Sequence, residues 1–251
     1  DLARELVEAR TRVGHLHRAA AEELTPAERA VRDRVLGRAE VEALLAGALP
    51  LHLIDCDLGG AALSGLALPG WTFETCQLRR VDWTGARLEG TVWRSCRGAF
   101  ANFVGADLNE ARFAACDLNN SQWRGARLGA AVFERCKLTG ADLSEIKAFD
   151  LRFDETLLIN AKLPGFSFRK QVLQRIDFSA ADLRKCDFRD ARFEECSLRE
   201  AHLADARFDG ADLRGADLGG LRLNDASRFR GATISRAQAS QLLGELGLKV
   251  L

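Results

Sequence analysis

The chain has 251 residues, with 36 basic and 36 acidic side chains. That balance supplies no global charge to draw nucleic acid or an anionic membrane surface. No apolar run approaches the eighteen or so residues a membrane helix needs, and no signal-peptide pattern opens the chain. Methionine is absent, as expected of a trimmed chain or a piece of a longer protein. Seven cysteines are too sparse, and odd in number, for a disulfide-stapled mini-domain. They suit reduced thiols in a bacterial cytoplasm.

The first fifty residues read as helix. Leu2, Leu6, Val13, Leu16, Ala20 and Leu24 share one helical face, predicting a helix over 2–23. In "TPAE", Thr25 is the N-cap, Pro26 takes the first helical position and Glu28 closes a capping box. A second helix is expected over 26–36 and a third over 39–46, with Gly37 and Gly47 at their ends. Residues 1–50 thus form an α-helical N-terminal extension, serving as a cap or a docking arm.

From Leu53 a different period begins. Stepping by five reaches Leu223 through 35 units without a slip, and only Gly98 and Ala148 fail to offer a large apolar centre. Two residues before each centre the side chain is usually Ala, Cys, Ser or Thr. Neither helix nor strand periodicity fits; this is an internal repeat.

The segments "ANFVG ADLNE" (101–110), "ADLSE" (141–145) and "ADLRG ADLGG" (211–220) resemble the pentapeptide repeat family. The resemblance implies an all-β solenoid, a right-handed quadrilateral β-helix of about nine coils over 51–234, four pentapeptides to a coil. The columns at a step of twenty agree. Phe73, Trp93, Phe113, Phe133, Phe153, Leu173 and Phe193 are nearly all aromatic, whereas Leu58, Leu78, Leu118, Leu138, Leu158, Leu198 and Leu218 alternate only with Gly98 and Phe178. Coils spaced as neighbouring strands make a rod about 40 Å long. Its filled interior leaves no ligand cavity, and its ends need caps.

Cys56, Cys76, Cys96, Cys116 and Cys136 follow the same step. Thr156 and Ile176 interrupt, Cys196 resumes, and Cys186 holds the equivalent slot on another column. These read as a ladder of small inward residues, with neither disulfide nor metal expected. No two-cysteine zinc spacing, phosphate loop or metallopeptidase pair occurs. His15, His17, His52 and His202 read as surface residues. The expectation is a chain without catalytic activity or cofactor.

Function then lies outside the rod. Phe100 and Phe149 fall at outward positions, where aromatics anchor interfaces. Asp82, Asp142 and Asp182 precede centres on one face, and Arg112, Arg152 and Arg192 on the opposite face. Large residues crowd the small slots at Leu66 and Trp71, and again over 146–176, where Pro164–Gly165 also falls. That stretch should bulge, either as tolerated irregularity or as a partner site.

After Leu223 the register slips by one, to Phe229 and Ile234. "SRAQASQLLGELGLKVL" (235–251) reads as an amphipathic helix and a final apolar strand, with Ala237, Leu242, Leu243 and Leu246 covering the last coil. This tail resembles that of Qnr-type quinolone-resistance proteins, which implies a cap and a twofold homodimer. Such proteins bind DNA gyrase or topoisomerase IV and protect them from quinolones or self-made poisons, by resembling a DNA duplex. Here the neutral charge departs from an acidic duplex mimic. The alternative is a rigid adaptor module of a larger bacterial assembly, such as a type VI secretion-associated domain. Both readings place the partner among proteins, with no direct nucleic acid contact and no membrane span.

Overall fold

The structure is a computed structural model and describes residues 29–47, 49–221 and 226–250. The helix expected over 2–23 and the start at Thr25–Glu28 lie outside the described residues. Nine three-residue strands stack in chain order in one parallel sheet. They are β1 (Ala30–Arg32), β2 (His52–Ile54), β3 (Thr72–Glu74), β4 (Val92–Arg94), β5 (Arg112–Ala114), β6 (Val132–Glu134), β7 (Arg152–Asp154), β8 (Val172–Gln174) and β9 (Arg192–Glu194). From β2 the register advances by twenty residues, Leu53 beside Phe73 beside Trp93. Single bridges repeat the step on the other three sides, as in Asp57↔Gln77, Ala62↔Asp82 and Ala67↔Arg87. The chain is therefore a parallel β-solenoid of about nine turns. We number its sides one to four from the β-sheet, through the centres Leu58, Leu63 and Leu68.

Nearly every corner is turned by a residue in the left-handed region, which explains the glycine of the repeat: Gly85, Gly105 and Gly125 all have positive φ. Phe100 turns an equivalent corner with φ 63° and carries its ring there despite the backbone cost.

Centres and small slots together form one continuous core. In the N-terminal half the rings occupy sides one and three. Phe73, Trp93, Phe113 and Phe133 stack along one side and meet Trp83, Phe103 and Trp123 edge-on across the core. Both arrangements favour the ring quadrupoles. In the C-terminal half the ring stack runs on side four, through Phe168, Phe188, Phe208 and Phe229, while Phe178 on side two meets two of them edge-on and Phe193 on side one lies tilted against Phe188 and Phe208. The main aromatic stack of the core thus changes side near residues 143–166.

Two tryptophans are paired with a small-slot hydroxyl. Trp93 Nε1 donates to Thr91 Oγ1 at 2.9 Å and Trp123 Nε1 to Ser121 Oγ at 2.7 Å. Each hydroxyl in turn donates to the carbonyl three residues back. Trp83 has Val81 in that slot, and its Nε1 is buried without a partner. Val81→Thr keeps the shape and adds the acceptor. Its expected result is a gain of about 1 kcal/mol in denaturant unfolding, the net worth of one hydrogen bond.

All seven cysteines are free and buried. Along the ladder each thiol donates to the centre carbonyl of the coil before, as Cys96 Sγ does to Phe73 O and Cys136 Sγ to Phe113 O. Thr156 makes the same bond to Phe133 O, so it continues the ladder in kind. Burial pushes Cys196 up and Cys186 up to about 12, keeping both as unreactive thiols. A thiol reagent counted by intact mass should add nothing to the native chain and seven adducts after unfolding.

The ends correct two expectations. Residues 30–36 are not helix: β1 pairs with β2, and Leu36 N–H donates to Asp57 O at 2.8 Å, so the solenoid reaches back to residue 30. Apolar Val31 and Leu36, five apart, already occupy centre positions, and tertiary pairing overrides the local helix signal. The next helix, α1 (Arg38–Leu45), is present and stands in for the last two sides of the first coil. It buries Val41 and is pinned by Arg38, which donates to the carbonyls of Ala62 and Ser64.

At the other end Phe229 stacks on Phe208, 21 residues away, as the register slip requires. Ile234, the next slipped position, is exposed at the rim. Helix α2 (Arg236–Glu245) starts at a Ser235–Gln238 capping box. Of the four residues expected over the last coil, only Leu242 is buried; Ala237, Leu243 and Leu246 are exposed. The missing cover is Gln238, whose Nε2 donates to Leu213 O and Ala216 O, both at 2.7 Å. An edge of a solenoid presents carbonyls, so a buried amide caps it better than another leucine. Residues 246–250 form no strand.

Candidate protein-binding surface

The outward candidates do not converge. Asp82, Asp142 and Asp182 lie on side three, in a ladder that runs Asp82, Asn102, Gln122, Asp142, Lys162, Asp182, His202. Asp82 accepts from Thr84 and Asn102. Asp142 is nearly buried, which pushes its pKa up. Hydrogen bonds from Ser144 and the charge of Lys162, 3.7 Å away, outweigh this and hold it below the usual range. Asp182 is held down by its two-pronged pair with Arg184. The column is interrupted by neutral and basic groups and locally neutralised, so it is not an unbroken negative stripe.

Arg112, Arg152 and Arg192 stand on the opposite side one, alternating with Val92, Val132 and Val172. Arg152 pairs with Asp150 and Arg192 with Glu194. The same short pairing recurs at Asp187–Arg189 and Asp212–Arg214. Exposed pairs of this kind contribute little stability but cancel the field of the surface.

Phe100 sits at the corner of sides two and three, with the guanidinium groups of Arg79 and Arg80 5.8 and 5.7 Å from its ring centre. Phe149 sits at the diagonally opposite corner and is 72% exposed. Its ring lies so close over Gly129 that a Cβ there would fall 2.4 Å from Cε1.

Around Phe149 the coil does bulge. A cleft of about 340 Å³ on side four is lined by Leu143, Ile146, Ala148, Pro164 and Phe166. A second, of about 600 Å³ on side one, is lined by Asp150, Arg152, Lys170, Gln171 and Val172. Ile146, Phe166 and Gln171 fill slots that elsewhere mostly hold Ala, Cys, Ser or Thr, and none of the three is fully buried. Val172, 57% exposed, escaped the sequence reading because its position is ordinary.

A family model for the pentapeptide repeat region matches residues 72–143, and one for pentapeptide repeats (8 copies) matches 152–190 and 191–227. The chain belongs to the pentapeptide repeat family. Among solved pentapeptide repeat structures it is similar to trypsin-treated QnrB1, a plasmid-mediated fluoroquinolone resistance protein. That match has 24% identity and a TM-score of 0.59, over 80% of this chain and 98% of that one. Full-length QnrB1 matches at 20% identity and a TM-score of 0.58, over 87% of this chain and 100% of that one. HetL, a pentapeptide repeat protein involved in heterocyst differentiation regulation from the cyanobacterium Nostoc sp. strain PCC 7120, matches at 21% identity. Its TM-score is 0.52, over 78% of this chain and 94% of that one. No curated protein matches by sequence. Among the described residues no helix is long and apolar enough to cross a membrane.

Proposed function

We propose that this pentapeptide repeat protein is a non-catalytic protein-binding scaffold of the bacterial cytoplasm. Its partner is a type II topoisomerase, DNA gyrase or topoisomerase IV, which it protects from quinolone-like poisons. The observation that carries the reading is an outer corner built for contact on a rod with a filled core: Phe149, exposed, between two clefts. The likeness to QnrB1 in fold supports the choice of partner. Contact is made by shape and apolar anchoring, because the neutralised acidic column on side three does not favour duplex mimicry. The same neutral surface favours the second reading, a rigid adaptor within a larger bacterial assembly.

The C-terminal end exposes Leu243, Leu246, Leu248 and Val250 together. A second copy of the chain covering this face would give the homodimer, and Leu246→Asp should then halve the mass seen in sedimentation. An unchanged mass removes the dimer.

Binding to immobilised gyrase and topoisomerase IV tests the partner. Wild type should bind one of them, and folded Phe149→Asp should bind at least tenfold more weakly. No binding by wild type refutes the partner; equal binding by the variant refutes the corner.

A further inference from the structure

Among the described residues the coil-to-coil ladder breaks where the core changes axis. On side four the bridges run Ala67↔Arg87↔Asp107↔Arg127↔Lys147 and then Ser167↔Asp187↔Arg207; the step from Lys147 to Ser167 is missing. On side one β7 and β8 keep only Asp154↔Gln174, where neighbouring pairs of strands keep three partners. The amides tell the same story. Lys147 N–H donates to Ala126 O at 2.8 Å and Asp187 N–H to Phe166 O at 3.0 Å, but Ser167 N–H makes no such bond to Ile146. Arg152 N–H donates to Ala131 O and Arg192 N–H to Gln171 O, but Val172 N–H makes none to Leu151. In its place the side chain of Gln171 reaches Leu151 O, at a long 3.4 Å.

The flanking sides stay closed. Before the break, Leu143 N–H donates to Lys162 O at 2.8 Å on side three. After it, Leu158 N–H donates to Asp177 O at 2.8 Å on side two. The parting is therefore a wedge, open at the Phe149 corner and shut on the far sides.

The cause is packing. The continuous ring stack on side one ends at Phe153 and that on side three at Trp123, and the side-four stack begins at Phe168, tilted against Phe153 at 6.3 Å. Between the side-one and side-four stacks, Ala148 leaves its centre short, and Phe166 packs against both Phe153 and Phe168. Bulky Ile146, Leu151, Phe166 and Gln171 in slots meant for small residues hold the coils apart. Each stack is close-packed within itself, and the junction is not.

We infer that the rod is two rigid blocks hinged at residues 145–173, opening at the Phe149 corner and pivoting on sides two and three, with the Gln171 amide as the latch. Missing ladder bonds lower the cost of local opening at that place. The hinge does not depend on which partner the corner binds.

Distances between nitroxide labels test this. Arg112→Cys with Arg192→Cys spans four coils across the hinge, and His52→Cys with Val132→Cys spans four coils within the N-terminal block. Both pairs are about 19 Å apart along the axis, at the spacing of neighbouring strands. All four sites are outside the core, and the buried native thiols leave the labels to the introduced ones. The distance distribution across the hinge should be at least twice as wide as that within the block. Gln171→Ala should widen it further while leaving the inner pair unchanged. Equal widths for the two pairs overturn the hinge; no effect of Gln171→Ala overturns the latch.

Discussion

Phe113→Ala should lower the unfolding free energy by about 3–5 kcal/mol, the range for truncating a buried phenylalanine. The structure explains why the upper part of that range is expected. Phe113 stacks on Phe133 at 4.6 Å and on Trp93 at 5.5 Å, and meets Trp123 and Phe103 edge-on. Four ring contacts are lost together, and neighbouring coils are tied by their own backbone ladder, so they cannot collapse into the void. In a solenoid each coil leans on its neighbours, so the loss should also divide the unfolding transition. Guanidinium unfolding followed by tryptophan fluorescence measures both. A loss below about 1 kcal/mol would mean that the rings are not packed as described.

Gln238→Leu is the second large effect. The substitution keeps the volume and adds apolar area, so a purely hydrophobic cap would tolerate or welcome it. Here it strips the buried Ala216 O of its donor and leaves Leu213 O with the Ala216 N–H alone, at 2.9 Å. Leaving a buried acceptor unpaired costs about 1–3 kcal/mol. The expected result is a loss of about 1–3 kcal/mol in thermal or denaturant unfolding, with early loss of α2. Gln241→Leu, on the exposed side of the same helix, should stay within about 0.5 kcal/mol of wild type. Equal behaviour of the two variants would contradict the amide cap.

Much of the fold is legible in the chain because its period is unusually strict. A centre at each fifth residue and like residues at each twentieth dictate a four-sided coil, and the cysteine ladder follows from the same step. What escaped reading depends on relations between columns. The rings of Trp83, Phe103 and Trp123 form a second ladder, and the move of the aromatic axis near Ala148 appears only when all four sides are compared. The hinge was visible as crowded slots, but crowding alone does not say whether coils part or side chains swing outward. At the ends the repeat is absent and local signals compete. Residues 30–36 carry helix-forming Ala, Arg and Leu, yet an unpaired strand edge on β2 is satisfied by strand, not helix. At α2, apolar spacing pointed to leucines, whereas carbonyls at a coil end call for a donor. The candidate surface was least legible, since pentapeptide corners and faces place Phe100, Phe149, the aspartates and the arginines far apart around the rod. Only Phe149 and Arg152 coincide with an opening in the backbone.

Supercoiling of relaxed plasmid by purified DNA gyrase, poisoned with a fluoroquinolone, measures most directly the topoisomerase protection proposed for this rod. Adding the protein should restore supercoiled product in proportion to its concentration, and folded Phe149→Asp should restore much less. If wild-type protein neither restores supercoiling under the drug nor inhibits gyrase without it, with topoisomerase IV decatenation equally unaffected, the protection account is contradicted.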